Sequence, residues 1–209
     1  MSKKLWGGRF TKPTDSSVEE FTKSIHYDYK LAKYDILGSI VHVEILGKAG
    51  YLTYDEVLKI QSALIKISNG KFSPDMAHED VHSQIQDMLE QKIGDLALKL
   101  HTARSRNDQV VFATKVYCKD KLASVAALGE GVINALKSLA KANSDVIIPG
   151  FTHMQHAQPI YLKDHLGAYI MMLEASIDKV KIAASDADSR MIRTAWATSA
   201  SSMATRSVD

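Results

Sequence analysis

Apolar residues recur at threes and fours almost without interruption from about Val18 onward, which predicts a chain built of helices. Ile36, Leu37, Ile40 and Val43 fall on one helical face, and Gly47 and Gly50 stand where that helix should stop. Thr53-Tyr-Asp-Glu56 has the spacing of a capping box: the threonine hydroxyl accepts from the third amide while the glutamate reaches back to the threonine amide. Val57, Ile60, Leu64 and Ile67 follow as a core stripe that Asn69-Gly70 closes. Ser73-Pro74 predicts the start of another helix, bearing Val81, Ile85, Met88, Leu89 and Ile93 and ending at Gly94. Strand signals are nearly absent, and no internal repeat is visible.

The pattern then lengthens. From Asp108 to about Ala142 no proline intervenes, and Val111, Tyr117, Val125, Leu128, Val132, Leu136 and Leu139 keep step. At 1.5 Å per residue this predicts a helix of roughly 50 Å. Gly129 and Gly131 mark either a kink or close packing against a neighbour. A second long run goes from Pro159 to about Met191. Helices of this length need bundle partners, and two are too few, so the missing ones are expected from other chains. Ile192 to Asp209 is rich in Ala, Ser and Thr without an apolar period, and predicts a disordered or frayed tail. The class is all-α: a small N-terminal helical domain (1–106), an incomplete long-helix bundle (107–191) and a divergent tail (192–209).

Composition narrows the function classes. With 45% hydrophobic and 24% charged residues over 209 positions, the chain can hold a proper core. A formal charge of +2 with scattered basic residues argues against nucleic acid or an anionic membrane as partner. Cys118 is the only cysteine, so no intramolecular disulfide forms, which fits a reducing cytosol. No signal peptide or membrane span is evident, and the expected location is cytoplasmic.

Candidate chemistry concentrates in two short segments. His101-Thr-Ala-Arg-Ser-Arg-Asn-Asp-Gln109 packs two guanidinium groups, a carboxamide and a carboxylate together. Arg104 and Arg106 could clamp a carboxylate, with Asn107 donating to a second oxygen at a helix start. The plain alternative makes Asn107 or Asp108 an N-cap and leaves the arginines solvated. Pro149-Gly-Phe-Thr-His-Met-Gln-His-Ala-Gln-Pro159 presents Thr152 beside His153, a hydroxyl next to a proton handler. A satisfied loop histidine is the plain alternative there. His78-Glu-Asp-Val-His82 matches a zinc pattern, but no third ligand follows, so no metal is expected. Asp80 and His82 are more interesting as polar groups behind or beside a substrate. Ser24, read alone, is an N-cap or a surface serine.

Taken together, Trp6-Gly-Gly-Arg-Phe10, Ser24-Ile with Tyr27-Asp28, Glu79-Asp80-Val-His82, Arg104-Ser-Arg-Asn-Asp-Gln109 and Pro149 to Pro159 resemble the argininosuccinate lyases of the fumarase/aspartase superfamily. The resemblance runs from about Leu5 to about Met191. It implies a long-helix bundle fold, a homotetramer and a cofactor-free elimination that splits argininosuccinate into arginine and fumarate. It further implies substrate-binding roles for Ser24, Asn107 and Thr152. Arg104 and Arg106 become carboxylate clamps or site organisers, His153 the acid-side proton handler, and Asp80 a site-orienting residue. Members of the family also carry a later Gly-Ser-Ser-x-Met-Pro-x-Lys-x-Asn-Pro loop, whose serine is the implied base, and a Pro-Leu-Gly type segment after the Met191 position. This sequence shows neither. The expectation is a truncated or frame-shifted product with little turnover alone; the alternative is a non-catalytic helical protein that oligomerises.

Overall fold

The computed structural model describes residues 14–204, and side-chain surroundings for residues 14–187. The Trp6-Gly-Gly-Arg-Phe10 motif lies outside the described residues. Among the described residues, seven α-helices and one hairpin are present in the order α1 (Ser16–Thr22), α2 (Ile25–Asp28), α3 (Ala32–Lys48), α4 (Tyr54–Asn69), α5 (Val81–Ile93), α6 (Arg106–Ala142), β1 (Ile147–Thr152), β2 (Gln155–Tyr161) and α7 (Leu162–Ala204). Two 3₁₀ segments, Tyr29–Leu31 and Gly94–His101, complete the described elements. The described chain up to Tyr117 forms one compact unit and Cys118–Arg190 a second. The helical class expected from the periodicity is the class observed.

In the first unit, α3, α4 and α5 close on a core of Ile36, Val43, Leu46, Ile60, Leu64, Ile85 and Leu89. Ile60, Leu64 and Leu89 are wholly sealed from solvent, each contributing about 1.5–3 kcal/mol by leaving water. Leu37 departs from the expected face of α3 and is 46% exposed; the buried stripe turns instead through Ala32, Asp35, Ile36, Ser39 and Val43. The capping box is present as read. Glu56 N–H donates to Thr53 Oγ1 at 3.3 Å, and Thr53 N–H donates to Glu56 Oε2 at 2.9 Å. Thr53→Ala is expected to cost about 1 kcal/mol, read as a lower urea midpoint at unchanged slope.

Three segments depart from the sequence-based expectation. Ser73-Pro74 does not start a helix; α5 begins at Val81, with Asp80 as N-cap. Local side-chain bonds hold the preceding loop: Asp75 Oδ1 accepts from Ala77 N–H at 2.9 Å, and Gln84 Nε2 donates to the Ser73 carbonyl at 2.8 Å. Residues 147–161 form an antiparallel hairpin rather than a loop opening a helix at Pro159. Pro149 and Pro159 face one another in it, and a register shift follows between Pro149 and Phe151. There a Cβ on Gly150 would stand 3.0 Å from the Gln158 carbonyl oxygen, so only glycine fits without displacement. Finally, α7 continues to Ala204 through the segment expected to be either disordered or a frayed continuation, so the continuation is what forms and the disorder is not. Its alanines are the best intrinsic helix formers, so helix needs no apolar stripe there; residues 205–209 lie outside the described residues.

In the second unit, Ile133 of α6 and Ile170 and Ile177 of α7 form a small buried cluster. Gly129 marks close packing: a Cβ there would come within 2.1 Å of Ile177 Cδ1. Ion pairs Lys137–Glu174 and Glu130–Lys181, both at 2.7 Å, flank that contact. Leu128, Val132 and Leu139 on α6 and Met171, Met172 and Ile182 on α7 are exposed. By length and apolar composition alone, one stretch of α6 is able to cross a membrane, contrary to the sequence-based expectation. The core helix of a soluble protein can meet the same test.

Candidate functional site

In the first unit the candidate residues converge around the start of α5. Ser24 N–H and Ile25 N–H both donate to the Glu79 carbonyl, at 2.8 and 3.2 Å. Ser24 Oγ donates to Asp28 Oδ2 at 2.6 Å, and the other Asp28 oxygen accepts from Val81 N–H at 3.1 Å. Asp28 therefore joins α2 to the first turn of α5. Burial pushes its carboxyl above the usual carboxylate range, against the Ser24 and Val81 bonds that pull it down.

Asp80 has two tasks. Its Oδ1 accepts from Ser83 N–H and Ser83 Oγ, both at 2.7 Å, as an N-cap does. The same oxygen accepts from Arg106 Nη1 at 3.3 Å, while Arg106 Nη2 donates to Ser83 Oγ at 3.1 Å. The cap of α5 thereby holds the first residue of α6. Ser24 with Asp28, and Asp80 with Ser83 and Arg106, thus form two polar groups fastened to consecutive residues, 79–81, at the start of α5, although 82 positions separate Ser24 from Arg106 in sequence.

The cap of α6 differs from the plain expectation. Ser105, not Asn107 or Asp108, closes the helix: its Oγ accepts from Asn107 N–H at 3.2 Å, and Asp108 Oδ2 accepts from Ser105 N–H at 3.0 Å. With the end already capped, Asn107 is exposed at the second helical position. The preceding Ala103 sits at φ 54°, a left-handed conformation that alanine rarely adopts, at the bend into the helix. Arg104 is not a solvated arginine. Its Nη1 donates to the buried Ser39 Oγ at 3.0 Å, and burial pushes its guanidinium below the ordinary arginine range while Asp35 opposes that shift.

Histidines line this cluster, and two of them are shifted downward. His101 is driven down to about 4, first by burial and then by Arg104 and Arg106. His42 is lowered by burial and then by Arg104. His82 faces the buried Asp35, with Nδ1 3.0 Å from Oδ1. The histidines of the zinc-like pattern do not converge: His78 lies between Asp75 and Asp87 at 3.4 and 3.5 Å. Among the described residues no group of three or more His, Cys, Asp or Glu is placed to hold a metal ion.

Thr152 and His153 belong to the second unit and stand by themselves. They lie at the tip of the hairpin, where Thr152 pairs with Gln155 across a two-residue turn of His153 and Met154. Both turn residues have positive φ, 47° and 60°, the geometry of the tight turns that match strand twist. Asparagine and glycine favour such turns, so a histidine there is strained, and it is exposed to solvent.

Residues 8–208 match the sequence model of a family described as lyase. The chain is 47% identical over 173 residues to an argininosuccinate lyase of Geobacter sulfurreducens, covering 81% of this chain and 38% of that protein. It is 42% identical over 181 residues to one from Ruminiclostridium cellulolyticum, covering 85% and 39%. It spans about two fifths of the length of the curated relatives it matches. Among solved structures it is similar to a fumarate lyase:delta crystallin from Brucella melitensis, with TM-score 0.68 and 16% identity over 88% of this chain and 50% of that one. A class II fumarase from Schistosoma mansoni gives TM-score 0.60 and 21% identity over 75% and 36%. At these identities the structural matches speak for the fold, a helical bundle of the fumarate lyase type.

Proposed function

The chain belongs to the lyase family, and on that premise we propose that it carries part of the substrate site of an argininosuccinate lyase, a carbon–nitrogen elimination yielding arginine and fumarate. The observation that carries this reading is the start of α6: a capped helix N-terminus with Asn107 exposed, braced from below by Arg104 and Arg106. Removing a proton from the carbon beside a carboxylate builds a doubly charged aci-carboxylate. Preorganised donors lower the cost of that charge. Asn107, Ser24 and Thr152 are the proposed binding groups, and His153 the proposed donor of a proton to the leaving guanidino nitrogen. Asp80 orients the site by holding Arg106. Because each guanidinium is engaged by Ser39 or by Asp80 and Ser83, the arginines are assigned as organisers rather than free clamps. No cofactor enters this reaction.

Calorimetry with argininosuccinate tests the proposal. The 209-residue chain is expected to bind it, and Asn107→Ala to weaken binding about tenfold, the worth of one hydrogen bond to a charged group. No binding by a folded sample would sink the reading. Fumarate release is expected to be negligible from this chain alone; turnover abolished by His153→Asn would overturn that part and place a complete site within the 209 residues.

The second reading, a non-catalytic helical protein that oligomerises, draws on the exposed Leu128, Val132 and Leu139 of α6 and Met171, Met172 and Ile182 of α7. Assembly by itself is compatible with the lyase reading, since a homotetramer would cover those faces with further helices. Light scattering is expected to give a mass above the monomer at micromolar concentration; a monomer would refute the assembly. The α6–α7 ion pairs support helix partners over lipid for this pair. Free Cys118 and the modest charge support a cytoplasmic protein that engages neither nucleic acid nor membrane.

A further inference from the structure

The chain enters α6 through a tight turn that its residue types do not favour. Arg104 N–H donates to the His101 carbonyl at 3.2 Å, which closes a four-residue turn over residues 101–104. Thr102 stands at φ −56°, ψ 125° and Ala103 at φ 54°. These are the angles of a type II turn, whose second residue sits at about −60°, 120° and whose third, usually glycine, has φ of about +80°. Alanine fits a type I turn without strain, at φ of about −90° in the same place. The two turns differ by rotation of one peptide unit, here the one joining Thr102 to Ala103. Ala103 is exposed, so packing of its methyl group does not select the strained form.

A bond made by that peptide does select it. The Thr102 carbonyl oxygen lies 3.0 Å from Nε2 of His42, which is on α3, 60 residues earlier. A carbonyl only accepts, so Nε2 carries a ring proton. Burial first, and then the Arg104 charge, hold the ring below its ordinary value against the Thr102 bond and Asp108, so at neutral pH that proton is the ring's only one. Rotation to type I would carry the oxygen away from His42 and leave a half-buried donor without its acceptor. The flanks of the turn are anchored separately. His101 Nε2 meets Gln86 Oε1 at 3.0 Å, and Arg104 Nη1 donates to Ser39 Oγ at 3.0 Å. Among the described hydrogen bonds, His42 alone addresses the central peptide itself.

We propose that His42 is a positioning residue: its Nε2–H locks the Thr102–Ala103 peptide in the type II orientation and so sets the direction in which α6 starts. Ser105 follows the turn at once and caps the helix, its Oγ accepting from Asn107 N–H at 3.2 Å. A change of turn type would redirect that cap and Asn107 with it. The consequence for binding rests on the argininosuccinate reading, whereas the lock itself is measurable without ligand.

The test uses nuclear magnetic resonance of the isotope-labelled 209-residue chain at pH 7.5. In the wild type the His42 ring is expected to be protonated at Nε2, with slow exchange of that proton, and backbone couplings are expected to give Ala103 a positive φ. A ring protonated only at Nδ1, or a negative φ at Ala103, overturns the proposal whatever the variants do. His42→Leu removes the donor and is expected to turn Ala103 to negative φ. His42→Gln, whose amide can reach the same carbonyl, is expected to keep it positive. A folded His42→Leu that retains the positive φ refutes the lock. Should His42→Leu fail to fold, its combination with Ala103→Gly decides, since glycine takes positive φ without strain. A folded double variant supports the lock; an unfolded one assigns His42 to general packing and overturns it. Argininosuccinate affinity is expected to fall in His42→Leu by no more than the roughly tenfold of Asn107→Ala, and to return in His42→Gln. Affinity unchanged while Ala103 has turned refutes the positioning role. If the wild type binds no argininosuccinate, the functional reading fails by itself, and the couplings still decide the lock.

Discussion

Lowering the pH from 7 to 4 is expected to weaken the first unit by on the order of 2 kcal/mol through His101 alone, after allowance for its partial solvent screening. The ring falls from 6.5 to about 4 in the folded chain, by burial first and by the Arg104 and Arg106 charges next. Between those two values the unfolded chain binds a proton that the folded chain refuses. Stability therefore rises with pH across that window, is fully present above about 6.5, and is lost as the pH falls toward 4. His42 is lowered by the same kinds of cause and adds in the same direction. Urea midpoints measured at pH 7.5, 5.5 and 4 should fall in that order, with the steepest loss between the last two. His101→Gln should flatten the curve, since the replacement cannot titrate. An unchanged slope in that variant would assign the acid sensitivity elsewhere. The same titration charges His42 and His101, the two rings that Arg104 helps to shift downward, so argininosuccinate affinity should be followed alongside stability.

Most of the helical plan was legible because amphipathic helices repeat their burial every three or four residues, and Thr53 with Glu56 announced its own cap. The hairpin was not, since prolines at 149 and 159 suggest loop until they are seen facing each other across two strands. The start of α5 is ambiguous in the sequence because Ser73-Pro74 and Asp80 both carry helix-start chemistry. Asp80 prevailed, with its own carboxylate accepting from Ser83 while Gln84 pinned the loop before it. Within the candidate site, the sequence and its family resemblance point to Ser24, Asp80, Arg104, Arg106 and Asn107. Asp28, Asp35, Ser39 and Ser83 carry no such signal, because each meets a partner distant along the chain. The one available signal was polar: Asp35 and Ser39 interrupt an apolar helix four residues apart, on a side that periodicity assigns to the core. Leu37 absorbed that signal by looking like a core residue, and its exposure shows the true face is rotated toward the polar pair.

Asp28→Ala is expected to cost on the order of 2–3 kcal/mol, more than any single cap or surface ion pair in the chain. Asp28 is 8% exposed, so water has little access to replace what the substitution removes. Val81 N–H, in the first turn of α5, loses its acceptor, and a buried donor left without one costs roughly 1–3 kcal/mol. Ser24 Oγ loses its 2.6 Å bond at the same time. Part of this is offset, because the carboxylate itself is held at a desolvation cost that alanine does not bear. Asp28→Asn separates the contributions: its carbonyl oxygen can still accept from Val81 while the charge is gone, so the loss should fall to about 1 kcal/mol. Urea unfolding of both variants measures the difference, and equal losses would mean that charge rather than the Val81 bond carries the effect. Function should follow a different order. With Ser24 fixed to the Glu79 carbonyl through its backbone, its hydroxyl is aimed by Asp28 alone among the hydrogen bonds described. Asp28→Ala should then free that hydroxyl and weaken argininosuccinate binding even under conditions where the unit remains folded. Unchanged affinity in such a sample would remove Ser24 from the binding groups and leave Asp28 as a purely structural link between α2 and α5.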